Sequence, residues 1–195
     1  MEQVSKKLKT CAITGRRPDG FSWEYGDNEK TRRYKRNLFL ALSYLVEVEG
    51  VQQFITGGAL GVDLDAADVV LSLQQKAPTL GHLLVLPYEK QGDRYALKDK
   101  NRHNVIQKQS EVIILSDNYT PWCMQQRNEY MVDNADLVAA FVSGKKTGGT
   151  YNTIRYAQKT GKPVFFFDLD TCGKMPSEKW ITSALPYTIK QLTIL

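Results

Sequence analysis

Apolar residues gather in six short runs, at positions 11–14, 53–56, 82–86, 111–115, 137–142 and 164–167. Each run is nearly continuous rather than alternating, the pattern of strands covered on both faces. Between them, positions 29–49, 64–75, 99–109, 124–134 and 150–160 read as helices. In the first of these, Leu38, Leu42, Leu45 and Val46 form one stripe. Gly50 closes that helix, Pro87 stops the third strand, and Gly161 and Pro163 follow the last helix. Asp63 stands where it could cap the second helix. Strands alternating with helices predict an α/β protein with an open, mainly parallel sheet and helices on both faces. No linker or repeat divides the 195 residues. The expectation is a single domain over 1–195, with its core at about 10–168 and a C-terminal extension at 169–195. Residues 189–195 could add an edge strand.

Composition narrows the class only a little. Apolar content of 42% and charged content of 24% are ordinary for a globular protein. No apolar run approaches the roughly 20 residues needed to cross a bilayer, so no membrane role is expected. The basic stretch 1–10 does not read as a signal peptide. Cys11, Cys123 and Cys172 are widely spaced, and with two histidines they make no metal-ligand cluster. They read as reduced thiols in a cytoplasm. The net charge of +5 suits anionic ligands, but it is not gathered into one block. Lys6, Lys7 and Lys9 form one basic spot, and Arg32, Arg33, Lys35 and Arg36 around Tyr34 form another.

The candidate chemistry lies where strands turn into helices. Gly148-Gly149-Thr150-Tyr151-Asn152-Thr153 follows the fifth strand and opens a helix. At such a junction the first helical amides lack partners, the helix dipole is positive, and glycine lets an anion approach the backbone. Thr150 or Asn152 could cap this helix and meet a ligand. Two further polar turns leave strands, at Thr14-Gly15-Arg16-Arg17 and at Thr56-Gly57-Gly58. In an open parallel sheet, ligands bind beyond the carboxyl ends of the strands. Three such turns therefore predict a shared, amide-lined crevice, where Arg16 or Arg17 could fork onto a phosphate.

These residues resemble a known family. Ile13-Thr14-Gly15-Arg16-Arg17-Pro18, Gly61-Val62-Asp63, Gln91-Gly92-Asp93, Arg127-Asn128 and the run from Gly149 to Ala157 are similar to the signatures of YpsA-like proteins. These belong to the SLOG superfamily, which includes the LOG phosphoribohydrolases and the DNA-processing protein DprA. The resemblance covers positions 12–167 and implies a Rossmann-like fold that binds a nucleotide-derived ligand. In LOG enzymes a helix of pattern M-H-E-R-K-x-x-M precedes the fifth strand, and P-G-G-x-G-T-x-x-E follows it. The arginine and the last glutamate are associated there with N-glycosidic cleavage. Arg127 matches the arginine, whereas Thr153 stands where the glutamate should be. A threonine supplies no negative charge to an oxocarbenium-like state. Asp63, Glu24 or Glu129 would have to take over that work.

The expected ligand-binding set is Thr14, Gly15, Arg16, Gly57, Gly58, Gly61, Asp63, Gln91, Arg127, Asn128, Gly148, Gly149, Thr150 and Asn152. Gly58, Gly61, Gly149 and Thr150 would hold phosphate, Arg16 and Arg127 would neutralise charge, and Asp63 would accept ribose hydroxyls. Gln91 and Arg94 could close over a base or ribose, and Trp23 and Tyr25 could stack on a base. The expected partner is a small nucleotide-like molecule, ADP-ribose or NAD in type, bound by a sensor or regulatory protein. No other cofactor and no metal is called for, and homo-oligomerisation stays open. The alternative is an N-glycosidic-bond hydrolase using Arg127 and Asp63. A third reading, DprA-like single-stranded DNA binding, would need a basic groove with stacking aromatics. The modest charge argues against it.

Overall fold

Strand β1 (Thr10–Gly15) sits inside the sheet, as its unbroken apolar sequence requires. In the computed structural model, which describes residues 9–142 and 147–169, it is followed by a short 3-10 turn at Pro18–Gly20. The chain then alternates α1 (Glu29–Glu47), β2 (Gln53–Thr56), α2 (Val62–Gln74), β3 (Gly81–Leu86), α3 (Leu97–Gln109), β4 (Glu111–Ile114), α4 (Cys123–Asp133), β5 (Leu137–Val142), α5 (Gly149–Lys159) and β6 (Val164–Asp168). Each expected element is present, with its ends within two residues of the reading from the sequence. Residues 170–195, with Cys172 and the suggested strand at 189–195, lie outside the described residues.

The sheet is parallel throughout, in the order β4-β3-β2-β1-β5-β6. This is the Rossmann-like arrangement of an open sheet that grows one way from β1 and then restarts on its other side. Along β1, Cys11 and Ile13 face α1 and α2, packing with Leu38, Leu42, Leu45, Val62, Ala66 and Val70. Ala12 faces the other way and packs with Met131, Val132 and Ala157 of α4 and α5. Leu84 and Leu86 of β3 continue the first layer, against Leu64 and Ala67 of α2 and Ile106 of α3. So α1, α2 and α3 cover one face, and α4 and α5 the other. Both faces are buried over β1, β2, β3 and β5, which explains why those strands lack a polar alternation, whereas the edge strand β4 is half-buried to exposed despite its apolar sequence.

Two caps differ from expectation. Asp63 does not cap α2; that position belongs to Gly61, at φ +87°, where a side chain is strained. Thr150 and Asn152 do not cap α5 either; Gly148, at φ +84°, holds that place. The Thr150 hydroxyl donates instead to the Gly15 carbonyl at 2.7 Å, tying α5 to the end of β1. Asn152 is exposed, and its amide donates to the Gly148 carbonyl.

Candidate functional site

The strand order changes direction between β1 and β5, and a cavity of about 440 Å³ opens at the carboxyl ends of these two strands. Its size falls within the usual range for small-molecule sites. Thr14, Gly15, Arg16 and Arg17 reach it from the end of β1. Gly148, Gly149, Thr150 and Thr153 reach it from α5, and Asp63 from α2. Met124, Arg127, Asn128 and Met131 reach it from α4. Those last four share spacings of three and four, so one stripe of α4 forms a wall.

The helix N-termini beside the cavity differ in what their amides do. In α2 the Val62 amide donates to the Arg16 carbonyl at 3.1 Å, and the Leu64 amide to the Ala59 carbonyl at 3.1 Å. Gly57, Gly58 and Gly61 are buried. A Cβ on Gly61 would lie 2.5 Å from the Arg16 carbonyl oxygen. The second glycine turn is therefore packed against protein: Gly57, Gly58 and Gly61, expected to face a ligand, are not among the lining residues, whereas Ala59 of the same turn is. In α5 the first intrahelical bond is made by the Asn152 amide, so the amides of Gly149, Thr150 and Tyr151 precede it. Gly148 and Gly149 are exposed. Among the described residues, a Cβ on Gly148 would meet within 4 Å only Arg16 Nη1, at 3.6 Å, and one on Gly149 only Asn128 Nδ2, at 3.8 Å. The space beside this turn is thus open and edged by nitrogen donors. Arg16 Nη1 donates to the Thr147 carbonyl at 2.7 Å, which holds the guanidinium against the same turn.

Arg127 and Asp63 form a buried ion pair, Nη1 to Oδ2 at 3.2 Å. Burial pushes the Asp63 carboxyl above the ordinary carboxylate range, opposed by Arg127 and by the amides of Ala59 and Gly57. Burial likewise pulls Arg127 down, opposed chiefly by Asp63. A guanidinium nevertheless stays protonated. Glu129, the helix carboxylate nearest Arg127 in sequence, instead accepts from Gln125 at 2.8 Å. The bond from Arg127 engages the Asp63 carboxylate, which was expected to accept ribose hydroxyls.

Other expected contributors lie away from the cavity. Gln91 is buried and donates to the Gly57 carbonyl at 3.0 Å, and Arg94 is exposed. Trp23 and Tyr25 pack around Phe21, with ring centroids at 4.9 and 5.1 Å, and neither lines the cavity at the ends of β1 and β5. Tyr25 also donates to the Asp65 carboxylate at 2.6 Å. Thr153, at the position of the LOG glutamate, does line the cavity, and its hydroxyl donates to the Gly149 carbonyl at 2.9 Å. Met124 and Met131 were not among the expected site residues. The three-and-four spacing around Arg127 and Asn128 was the signal that could have found them.

Comparison with known proteins agrees with this architecture. The YspA SLOG family model matches residues 11–171. The SPbeta prophage-derived protein YoqJ of Bacillus subtilis (strain 168) is 29% identical over 164 residues, covering 73% of this chain and 95% of YoqJ. The UPF0398 protein YpsA of the same organism is 24% identical over 170 residues, covering 84% and 94%. Among solved structures, DNA processing protein A (DprA) from Streptococcus pneumoniae is similar in fold, with a TM-score of 0.56 at 17% identity. That similarity covers 95% of this chain but 55% of DprA, so the chain spans about half of that protein's length. By the extent of the family match, together with the switch-point cavity and its glycine turns, this chain belongs to the YspA SLOG family.

Proposed function

We propose that the protein binds a nucleotide or nucleotide-derived anion, of the ADP-ribose or NAD type, in the cavity between the ends of β1 and β5. It then acts as a sensor or regulatory protein rather than as a catalyst. The observation that carries this reading is the open N-terminus of α5, with exposed Gly148 and Gly149 edged by Arg16 and Asn128. Free first-turn amides, the positive end of the helix dipole and a neighbouring guanidinium together favour phosphate. Family membership supports the same class of ligand by resemblance alone.

The hydrolase reading finds less support. A carboxylate is needed to stabilise the developing positive charge and to activate water. Thr153 offers a hydroxyl in that place, and the Asp63 carboxylate is held by Arg127. The DNA reading rests on similarity of fold to DNA processing protein A. Trp23 and Tyr25, the aromatics expected to stack on bases, are packed against Phe21.

A thermal-shift screen with AMP, ADP-ribose and NAD tests the proposal, comparing the parent with Gly149→Val. The valine side chain would project into open space beside Asn128 and fill the anion's position while leaving the fold intact. The expected result is stabilisation of the parent by at least one of the three, lost in the variant. Equal responses would place the ligand elsewhere.

A further inference from the structure

Gly57 stands in the second glycine turn, yet it is buried, is not among the residues lining the cavity, and its φ is not among the positive ones. Its backbone would accept alanine, so conformation does not explain a glycine here. Space does. A Cβ on Gly57 would lie 1.3 Å from Nη1 and 2.1 Å from Cζ of Arg127, and 2.7 Å from Oδ2 of Asp63. The guanidinium occupies the place of the missing side chain. The peptide beneath it is held from the β3–α3 segment. Gln91 Nε2 donates to the Gly57 carbonyl at 3.0 Å and to the Tyr95 hydroxyl at 3.1 Å. The Tyr95 hydroxyl donates to the Gly58 carbonyl at 3.1 Å. Gln91 is buried and does not line the cavity, so direct ligand contact does not account for it.

We propose that Gly57 is the seat of the Arg127 guanidinium. Gln91 and Tyr95 are positioning residues that hold this seat, and through it the buried cation in the cavity wall. The seat itself requires no ligand. Its consequence for binding rests on the function proposed above. Gly57→Ala should displace the guanidinium, because a Cβ 1.3 Å from Nη1 forces the group to shift, and the group is buried and ion-paired to Asp63. Gln91→Leu removes the donor beneath the peptide and lets the seat shift. Arg127 then loses its register with Asp63 and with the cavity.

A double-mutant cycle in thermal unfolding tests the seat without any ligand. Gly57→Ala should lower the Tm of the parent by about 5 °C or more. It should cost less in an Arg127→Met background, where the guanidinium is gone and the Asp63 oxygen at 2.7 Å remains. Asp63→Ala with Arg127→Met serves as a second background, in which the Asp63 oxygen at 2.7 Å and the unpaired carboxylate are gone as well, and there the cost should be small. Equal losses in parent and both backgrounds would overturn the proposal. NMR of the arginine side chains gives a second readout. The Nε–H signal of Arg127 should move or broaden in Gln91→Leu and stay close to the parent in a surface control, Gln126→Leu. An unchanged signal in Gln91→Leu would remove Gln91 and Tyr95 from the account.

Calorimetry with ADP-ribose reads the functional consequence. If the parent binds and Gly149→Val does not, Gly57→Ala and Gln91→Leu should each weaken binding about 10- to 100-fold, as loss of a charged hydrogen bond does. Parent-like affinity in both would separate the seat from the ligand site. No binding by the parent would count against the proposed ligand alone, and the thermal cycle would still decide the seat.

Discussion

Arg127 carries its charge into a wall where 5% of the residue is exposed, and Asp63, 64 positions away in sequence, meets it there. Burial pushes both groups toward their neutral forms and their mutual attraction opposes it, so desolvation offsets much of what the pair gains. Such a pair costs most when it is broken on one side. Arg127→Met alone should lower stability by about 3 kcal/mol near pH 8, because it leaves a buried carboxylate unpaired. Asp63→Leu with Arg127→Met should recover most of that loss, and urea titration of the parent and the two variants checks it. The sign of the pH dependence follows from the raised carboxyl. A folded state that binds the proton more tightly than the unfolded chain gains stability as pH falls. The deficit of Arg127→Met should therefore shrink between pH 8 and pH 5. A constant deficit would mean that Asp63 stays ionised in the variant. The motifs made Arg127 and Asp63 legible one by one, but not their bond, because no local signal marks a contact across that separation.

At the scale of elements, β3 is tied to its neighbours through His82, and this bears on acid stability. The Ser110 hydroxyl donates to the Ile106 carbonyl at 2.6 Å, so its oxygen can accept from His82 Nδ1–H at 2.7 Å. That leaves Nε2 to accept from the Thr56 hydroxyl at 2.9 Å. Burial holds the ring neutral by lowering its pKa from 6.5 to about 4. The unfolded chain then takes up this proton first as pH falls, so the stability from His82 is whole above pH 6.5 and lost toward pH 4. The loss is on the order of 3 kcal/mol over that window. Denaturation of the parent and of His82→Leu at several pH values measures it as a difference. The variant should show the flatter profile between pH 6.5 and pH 4, and parallel profiles would contradict the neutral, buried ring.

The two glycine turns make the same point about helices. In sequence, Gly57-Gly58 and Gly148-Gly149 look equivalent. In the fold, α2 gives its first amide to the Arg16 carbonyl, whereas α5 leaves Gly148 and Gly149 exposed. Which amides are consumed depends on what the strand order places beside each turn, and no window of sequence contains that. Gly61→Ala, at φ +87° and with backbone 2.5 Å from the new Cβ, should therefore destabilise the fold. Gly149→Ala should not, because among the described residues its new methyl would meet only Asn128 Nδ2, at 3.8 Å. Thermal unfolding of the two variants is the check.

For the molecule as a whole, the parallel sheet was legible because strands buried on both faces must be apolar throughout, and helices must lie between them. Helix counts and rough ends followed. The switch point followed less directly, from the rule that ligands sit beyond carboxyl ends rather than from any residue. Among the described residues, no helix is long and apolar enough to cross a membrane. The net charge of +5 is spread over the chain, which bears on the DNA reading. Binding through many phosphates would weaken steeply with salt. A single-stranded oligonucleotide should bind weakly at about 150 mM salt and be unaffected by Arg16→Ala. Tight binding that falls steeply with salt and is lost in Arg16→Ala would favour a nucleic-acid partner.

The central claim is that an anion enters at α5 and not at α2. Backbone amide shifts during a titration with ADP-ribose, AMP or NAD test it most directly, using the ligand that stabilises the parent. The amides of Gly148, Gly149 and Thr150 should move together and saturate, with Thr14 and Gly15 following. Those of Gly58, Gly61 and Val62 should move least. Saturable shifts centred on Gly58 to Val62, with Gly148 to Thr150 unmoved, would contradict the account.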